Sequence, residues 1–454
     1  MTVLLYVLGV LAFALALVIS IGLHELGHMI PAKKFGGKVT QYFVGFGPTV
    51  WSTQRGETEY GIKAIPLGGY VKIVGMLPPG GDDLADEVTT DADGNTVTKV
   101  RKSNTGMFAQ LISDARAAEW ETITAADSDR LFYKMPWWKK VIVMAGGPTV
   151  NLVIAFVLFL LIFGLYGVRS QEVDAGRPVV DEVSTCLLPY AESGRACTTS
   201  DNKTPAYLAG LKPGDTITAF GGQEITSWSQ LRRLIRSNGD EKTALTYERD
   251  GQSITKQITT TVQARPTSAN DETLTQVGFL GISPATHTVV THGGPLFTLE
   301  QMGYMTKDSV VALAQLPVKV WGVGKAIVGV EPRAADSPIS IVGGGRIAGE
   351  VSSQSDFPVA EKLAFLASLA AGFNLFIGLF NFVPLLPLDG GHIASALWEA
   401  LRRGFARLFG RPDPGHVDAA KLLPVAYVVA SALLVMGVVL IVGDLVVPVQ
   451  MPAG

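Results

Sequence analysis

The stretch HELGH, residues 24–28, follows 23 residues that carry no charged side chain. An apolar run of that length can take an α-helix across bilayer hydrocarbon, which needs roughly 20 such residues. His24, Glu25 and His28 therefore come at membrane depth, ahead of the first lysines, Lys33 and Lys34. Ionisable groups there are costly and usually functional. Any fold for this chain has to give them partners inside a membrane.

On a helix, positions i and i+4 share a face, so His24 and His28 can offer imidazole nitrogens to one ion. Zinc accepts such ligands at about 2.0–2.1 Å. Glu25 is turned away from that ion yet close enough to take a proton from water, which is the mechanical content of H-E-x-x-H. The competing reading is a polar helix end at the interface, its histidines bonded locally. With only six histidines in the chain, that spacing is not readily accidental.

A hydrolytic zinc site needs a third protein ligand and an open position. The candidate is Asp389 in NLFIGLFNFVPLLPLDGGH, residues 374–392, the only carboxylate of its apolar segment. Pro384 and Pro387 should break or bend the helix before it, and Gly390 and Gly391 permit close backbone approach. Taken alone, Asp389 reads better as a cap on a helix starting near Ile393; the histidine pair elsewhere in the membrane reverses that. His392 is a weaker ligand candidate.

The chain is 48% hydrophobic and 17% charged over 454 residues, too apolar for an ordinary soluble enzyme. Its net charge of -3 argues against a nucleic-acid partner. Four spans are expected, at 1–30, 139–168, 359–389 and 421–447. The first lacks the basic start and cleavage site of a signal peptide. Lys33, Lys34, Lys38, Lys139, Lys140 and the arginines at 402, 403, 407 and 411 flank these spans. All fall on the cytoplasmic side if both termini are outside. The bilayer is thus a partner, and the HELGH end of the first span lies near the cytoplasmic face.

Between the spans, residues 39–76 read as a membrane-associated β region, a hairpin or small sheet with a turn at Gln54-Arg55-Gly56; its edge can pair with an extended substrate. Residues 77–138 form a cytoplasmic insertion, partly flexible; its DADGN lacks the closing glutamate of a calcium loop. GGPTVN, residues 146–151, suits tight helix packing. Residues 172–265 resemble a PDZ domain, with an AGL-x-x-GD turn and an amphipathic helix around Leu231, Leu234 and Ile235. Residues 266–358 read as an outer linker with an interfacial amphipathic segment cut by Lys307, Lys319 and Lys325, and 390–420 as a cytoplasmic connection. Cys186 and Cys197 fall outside, in a loop whose oxidising surroundings permit a disulfide; two free thiols are the alternative.

HELGH in a first span, a distant N-x-x-P-x-x-P-L-D-G-G and a PDZ-like unit between them resemble the site-2 protease family of intramembrane zinc metalloproteases. The resemblance covers nearly the whole chain, and residues 41–76 look closest to its actinobacterial branch. It implies a mainly α-helical polytopic membrane protein with four transmembrane helices, the β-hairpin region and an extracytoplasmic α/β PDZ domain. It implies Zn2+ on His24, His28 and Asp389, Glu25 as general base, Asn381 with Pro384 in substrate binding, and GGPTVN beside the active site. The implied substrates are single-pass membrane regulators such as anti-sigma factors, already trimmed by another protease. Two rivals stand beside it: a zinc peptidase clearing signal-type peptides, and a catalytically silent PDZ scaffold.

Overall fold

The computed structural model describes residues 2–78, 89–90, 96–97, 112, 114–116, 125–173, 176–190, 196–268, 271–334, 336–355 and 357–449. Most of the 77–138 insertion, including DADGN, lies outside them. The chain divides into two compact units: residues 1–166 with 292–454, and residues 167–291.

Helix α1, Thr2–Lys34, is the uncharged N-terminal run extended through HELGH. Its end is set by Gly36 (φ 87°), which lets Gly36 N–H reach the Lys33 carbonyl and Gly37 N–H the Ala32 carbonyl. Strands β1, Val39–Arg55, and β2, Thr58–Ile73, follow. Of the two expected forms, β-hairpin or small sheet, the pairing makes a small sheet, the hairpin being folded back on itself. Residues 51–55 pair with 58–62, while 41–44 pair with 59–62 on one side and with 69–72 on the other. The long strands bend at Gly45, Gly47 and Gly68, all at positive φ, which makes this doubling possible. Segment 69–73 is thereby an outer strand lying along α1. Helix α2, Trp137–Leu161, crosses α1 with Gly27 against Gly146; a Cβ on Gly27 would stand 2.5 Å from the Gly146 carbonyl oxygen. Small residues at such crossings give close packing where lipid supplies no hydrophobic drive.

The second unit holds β3 (Val168–Val173), β4 (Val180–Val183), α3 (Pro205–Ala209), β5 (Thr216–Phe220), β6 (Gln223–Glu224) and α4 (Trp228–Ser237). It continues with β7 (Lys242–Arg249), β8 (Gln252–Thr259), β9 (Thr261–Ser268), β10 (Asp271–Phe279), β11 (Ile282–Pro284) and β12 (Thr286–Thr291). A four-stranded sheet in the order β8-β7-β5-β6 carries α4 over a core of Ile217, Leu231, Leu245 and Tyr247. The unit runs past the expected boundary at 265, because β11 pairs with β4 and β12 with β3, closing the end on the start. Cys186 and Cys197 form a disulfide, with Cα atoms 5.9 Å apart.

The first unit resumes with α5 (Pro295–Ile327), α6 (Ile341–Ser353), α7 (Val359–Asn381), α8 (Asp389–Leu408) and α9 (Leu423–Val446). The glycine-rich face of α6 packs on Tyr6, Gly9 and Phe13 of α1. Among the described residues, five helices are long and apolar enough to cross a membrane: α1, α2, α5, α7 and α9. The sequence reading expected four; α5 is the addition, since 18 residues of it can be chosen with at most two charges despite its lysines. Both ends of α5 lie on one side of the helical unit. Phe297 packs on Phe163 just past the C-terminal end of α2, ring centroids 5.7 Å apart, and Val323 packs on Gly443 near the C-terminal end of α9. Those two helices start together on the opposite side, where Glu399 accepts from Lys140 Nζ (2.8 Å) and from the Val417 N–H (3.3 Å).

Candidate metal centre

HELGH occupies the last third of α1, and its two histidines meet a carboxylate from the start of α8. Nε2 of His24 and Nε2 of His28 are 3.2 Å apart, and each lies 3.4 Å from the same oxygen, Oδ2 of Asp389. Among the described residues this is the one group of three His, Cys, Asp or Glu side chains close enough to hold an ion. Ligands at about 2.0–2.1 Å in a tetrahedron stand about 3.3 Å from one another, so the three atoms already have the separations zinc requires. His28 Nδ1 lies 2.8 Å from the carbonyl oxygen of Val143, which fixes the tautomer and leaves Nε2 free. The donor set fits the metal.

Asp389 reaches this position because α7 stops at Asn381. Residues 382–388, with Pro384 and Pro387, form the break, and α8 begins at Asp389 itself rather than near Ile393. The carboxylate thus sits in the first turn, where the positive end of the helix dipole favours a negative charge. The break folds tightly onto that turn: a Cβ on Gly391 would stand 2.5 Å from the Leu386 nitrogen. His392, one turn on, is not part of the cluster.

A cavity of about 280 Å³ opens beside the cluster. His24, Glu25 and Asp389 line it, with Asn381, Asn151 and the Gly68-Gly69 pair of β2. Glu25 is half-buried, next to Gly69 and the main chain of Val71. Pro384 is exposed and outside this lining, whereas Pro387 is part of it. The break folds back on itself, setting Gly390 against Phe382 and Val383, and it is Pro387 beside Asp389 that reaches the cavity.

Three further residues shape the site. Gly147 packs against both imidazoles; a Cβ there would stand 2.7 Å from His24 Nε2 and closer still to His28 Nε2. Gly69 admits the Glu25 side chain, with a Cβ falling 2.9 Å from Glu25 Cγ. Asn151, read as a packing residue, is buried in the cavity wall. The resemblance places GGPTVN beside the active site, and Gly147 and Asn151 lie one helical turn apart in it; which atoms they meet is not written there.

Residues 12–410 match the profile of peptidase family M50. This chain belongs to peptidase family M50. It is 34% identical over 456 residues to the zinc metalloprotease Rip1 of Mycobacterium tuberculosis, covering 98% of this chain and 99% of that protein. The corresponding figures for Rip1 of Mycolicibacterium smegmatis are 34% over 453 residues, 98% of each. The zinc metalloprotease RasP of Bacillus licheniformis is 24% identical over 430 residues, 87% of this chain and 90% of that one. The M50 chain described here is accordingly a zinc-dependent metalloprotease of the site-2 type, built into a multi-pass membrane protein. Zinc is its cofactor.

Proposed function

We propose that this protease hydrolyses a peptide bond inside the transmembrane segment of single-pass membrane-anchored regulators such as anti-sigma factors, after another protease has trimmed them outside. The observation that carries the reading is the His24, His28, Asp389 cluster, with Glu25 beside it, set among helices apolar enough to cross a membrane. His24, His28 and Asp389 would hold zinc, which supplies Lewis-acid polarisation of a carbonyl and eases loss of a proton from water. Glu25 takes that proton and passes it to the leaving nitrogen. Asn381, in the cavity wall, holds substrate backbone in extended form. The outer strand 69–73, alongside Glu25, offers an edge on which an unwound segment can pair.

We read four spans, with α5 along the outer interface. In support, both its ends contact helix ends on one side of the helical unit. Both termini would then be outside and the catalytic cluster near the cytoplasmic face. Residues 172–265 are read as the main part of an extracytoplasmic PDZ domain that screens substrates by size, on the strength of the four-stranded sheet and α4. A peptidase for signal-type peptides shares every one of these site features, and only its substrates differ.

The test compares membrane proteomes from cells carrying the parent protein and Glu25→Gln. Single-pass fragments missing from the variant identify the substrates; identical proteomes would sink the proposal, and missing signal-peptide remnants alone would favour the second reading. Reporters after residue 408 should be cytoplasmic, and those at residue 240 and the C-terminus outside. Deleting residues 175–265 should allow untrimmed substrates to be cut.

A further inference from the structure

Two buried polar atoms beside the metal cluster have no hydrogen-bond partner among the described residues: Nδ1 of His24 and Oδ1 of Asn151. Asn151 is 2% exposed and lines the same cavity as His24. Helices α1 and α2 run in opposite directions here, with His28 against Val143, Gly27 against Gly146 and His24 against Gly147. One turn further along α2 therefore brings Asn151 to the level of His24 and the turn before it. Ser20, which also lines the cavity, already gives its hydroxyl to Asn374.

The two unpaired atoms are complementary. An imidazole that presents Nε2 to a metal carries its proton on Nδ1 and is a donor there, and the side-chain oxygen of Asn151 is an acceptor. Leaving both buried and unpaired costs free energy twice over. His28 has this arrangement already, with the Val143 carbonyl as its acceptor. Metal-ligating histidines almost always have such a partner.

We propose that Asn151 is the positioning residue for the metal ligand His24. Its Oδ1 accepts the Nδ1–H of His24, after a side-chain rotation or across one water in the shared cavity, and so fixes the ring's tautomer and orientation. One face of α2 then serves both histidines. Gly147 is small enough to admit the rings, Val143 holds one and Asn151 holds the other. The inference rests on the reading of His24 as a zinc ligand.

The test is metal affinity, measured on detergent-solubilised full-length protein by competition of Zn2+ with a chromophoric chelator, with Co2+ as a spectroscopic substitute. Asn151→Leu should weaken binding about 10–100-fold and shift the Co2+ absorption bands, whereas Asn151→Asp, which keeps an acceptor, should bind close to the parent. Unchanged affinity and spectrum in Asn151→Leu of native helical content overturns the proposal. A raised KM with metal affinity intact overturns it too, assigning the amide to substrate. If Asn151→Leu does not fold, Asn151→Ala against Asn151→Asp makes the same comparison, and equal affinities there overturn it. Full zinc binding by His24→Ala would instead remove the ligand reading beneath it.

Discussion

Nδ1 of His28 lies 2.8 Å from the carbonyl oxygen of Val143, on the neighbouring helix. A carbonyl only accepts, so the ring proton is on Nδ1 and the lone pair of Nε2 faces His24 and Asp389. The metal side of the site is therefore prepared by a main-chain atom that no side-chain substitution at Val143 removes.

Purified protein should carry about one zinc per chain, as a three-ligand catalytic site does. His24→Ala, His28→Ala and Asp389→Ala should each lose most of it, by elemental analysis after gel filtration. Glu25→Gln should keep zinc and lose cleavage by roughly 10²–10⁴-fold, the range for a general base. Loss of zinc in Glu25→Gln would make the glutamate a ligand instead.

Gly147→Ala should reduce zinc retention by about tenfold or more, the scale on which disturbed ligand orientation acts. The added Cβ would stand 2.7 Å from His24 Nε2, whereas one on Gly372 of α7 would meet nothing within 4 Å. Gly372→Ala is thus the matched control for a glycine in an apolar helix. Equal zinc content in the two variants would contradict the packing described.

Lys140 and Glu399 form an ion pair at 2.8 Å with side-chain exposures of 7% and 1%. It ties α8, which begins with Asp389, to α2. Glu399→Ala leaves Lys140 buried without its partner and should cost about 3–5 kcal/mol, read as a lowered melting temperature in detergent. The double change Lys140→Met with Glu399→Leu should recover much of that loss. A double variant as unstable as the single one would show that His416, Arg403 and the Val417 N–H, which also bond Glu399, matter more.

Arg130 grips Glu57 through two bonds, at 2.6 and 2.7 Å. Those bonds hold the Glu57 carboxyl below its ordinary range. A depressed carboxylate stabilises the fold above its unfolded value, about 4.3, and that contribution disappears as pH falls through the lower folded value. The pair is more than a third exposed, so screening limits it to about 1 kcal/mol at most. Melting of Glu57→Gln should fall slightly beneath the parent at neutral pH, and the gap should close as acid protonates the folded carboxyl. A difference that grows on acidification would reverse the assigned sign.

The Cys186–Cys197 bridge closes a loop with a sequence separation of 11. In the chain-entropy model a loop of this size contributes about 3 kcal/mol. The double Cys→Ser variant should keep its zinc and its proteolysis while residues 167–291 become sensitive to protease at a lower temperature. Unchanged protease sensitivity would mean the bridge adds nothing to that unit.

What the sequence determined by itself was local. The i, i+4 spacing of His24 and His28 places two nitrogens on one helix face whatever the rest of the chain does, and charge-free runs mark apolar helices because a bilayer requires them. The pair Pro384 and Pro387 forecast a helix break ahead of Asp389. What only the tertiary structure decided depends on which helix faces which. Gly147 matters because α1 and α2 cross with their backbones nearly touching, and Gly69 because β1 and β2 double back and lay an outer strand against Glu25. The lysines of α5 suggested an interfacial segment, while the position of its two ends emerged only from contacts with Phe163 and Gly443. Periodicity along one element follows from fixed backbone geometry, but apposition between elements is set by the packing of many side chains at once, and no single stretch of sequence encodes it.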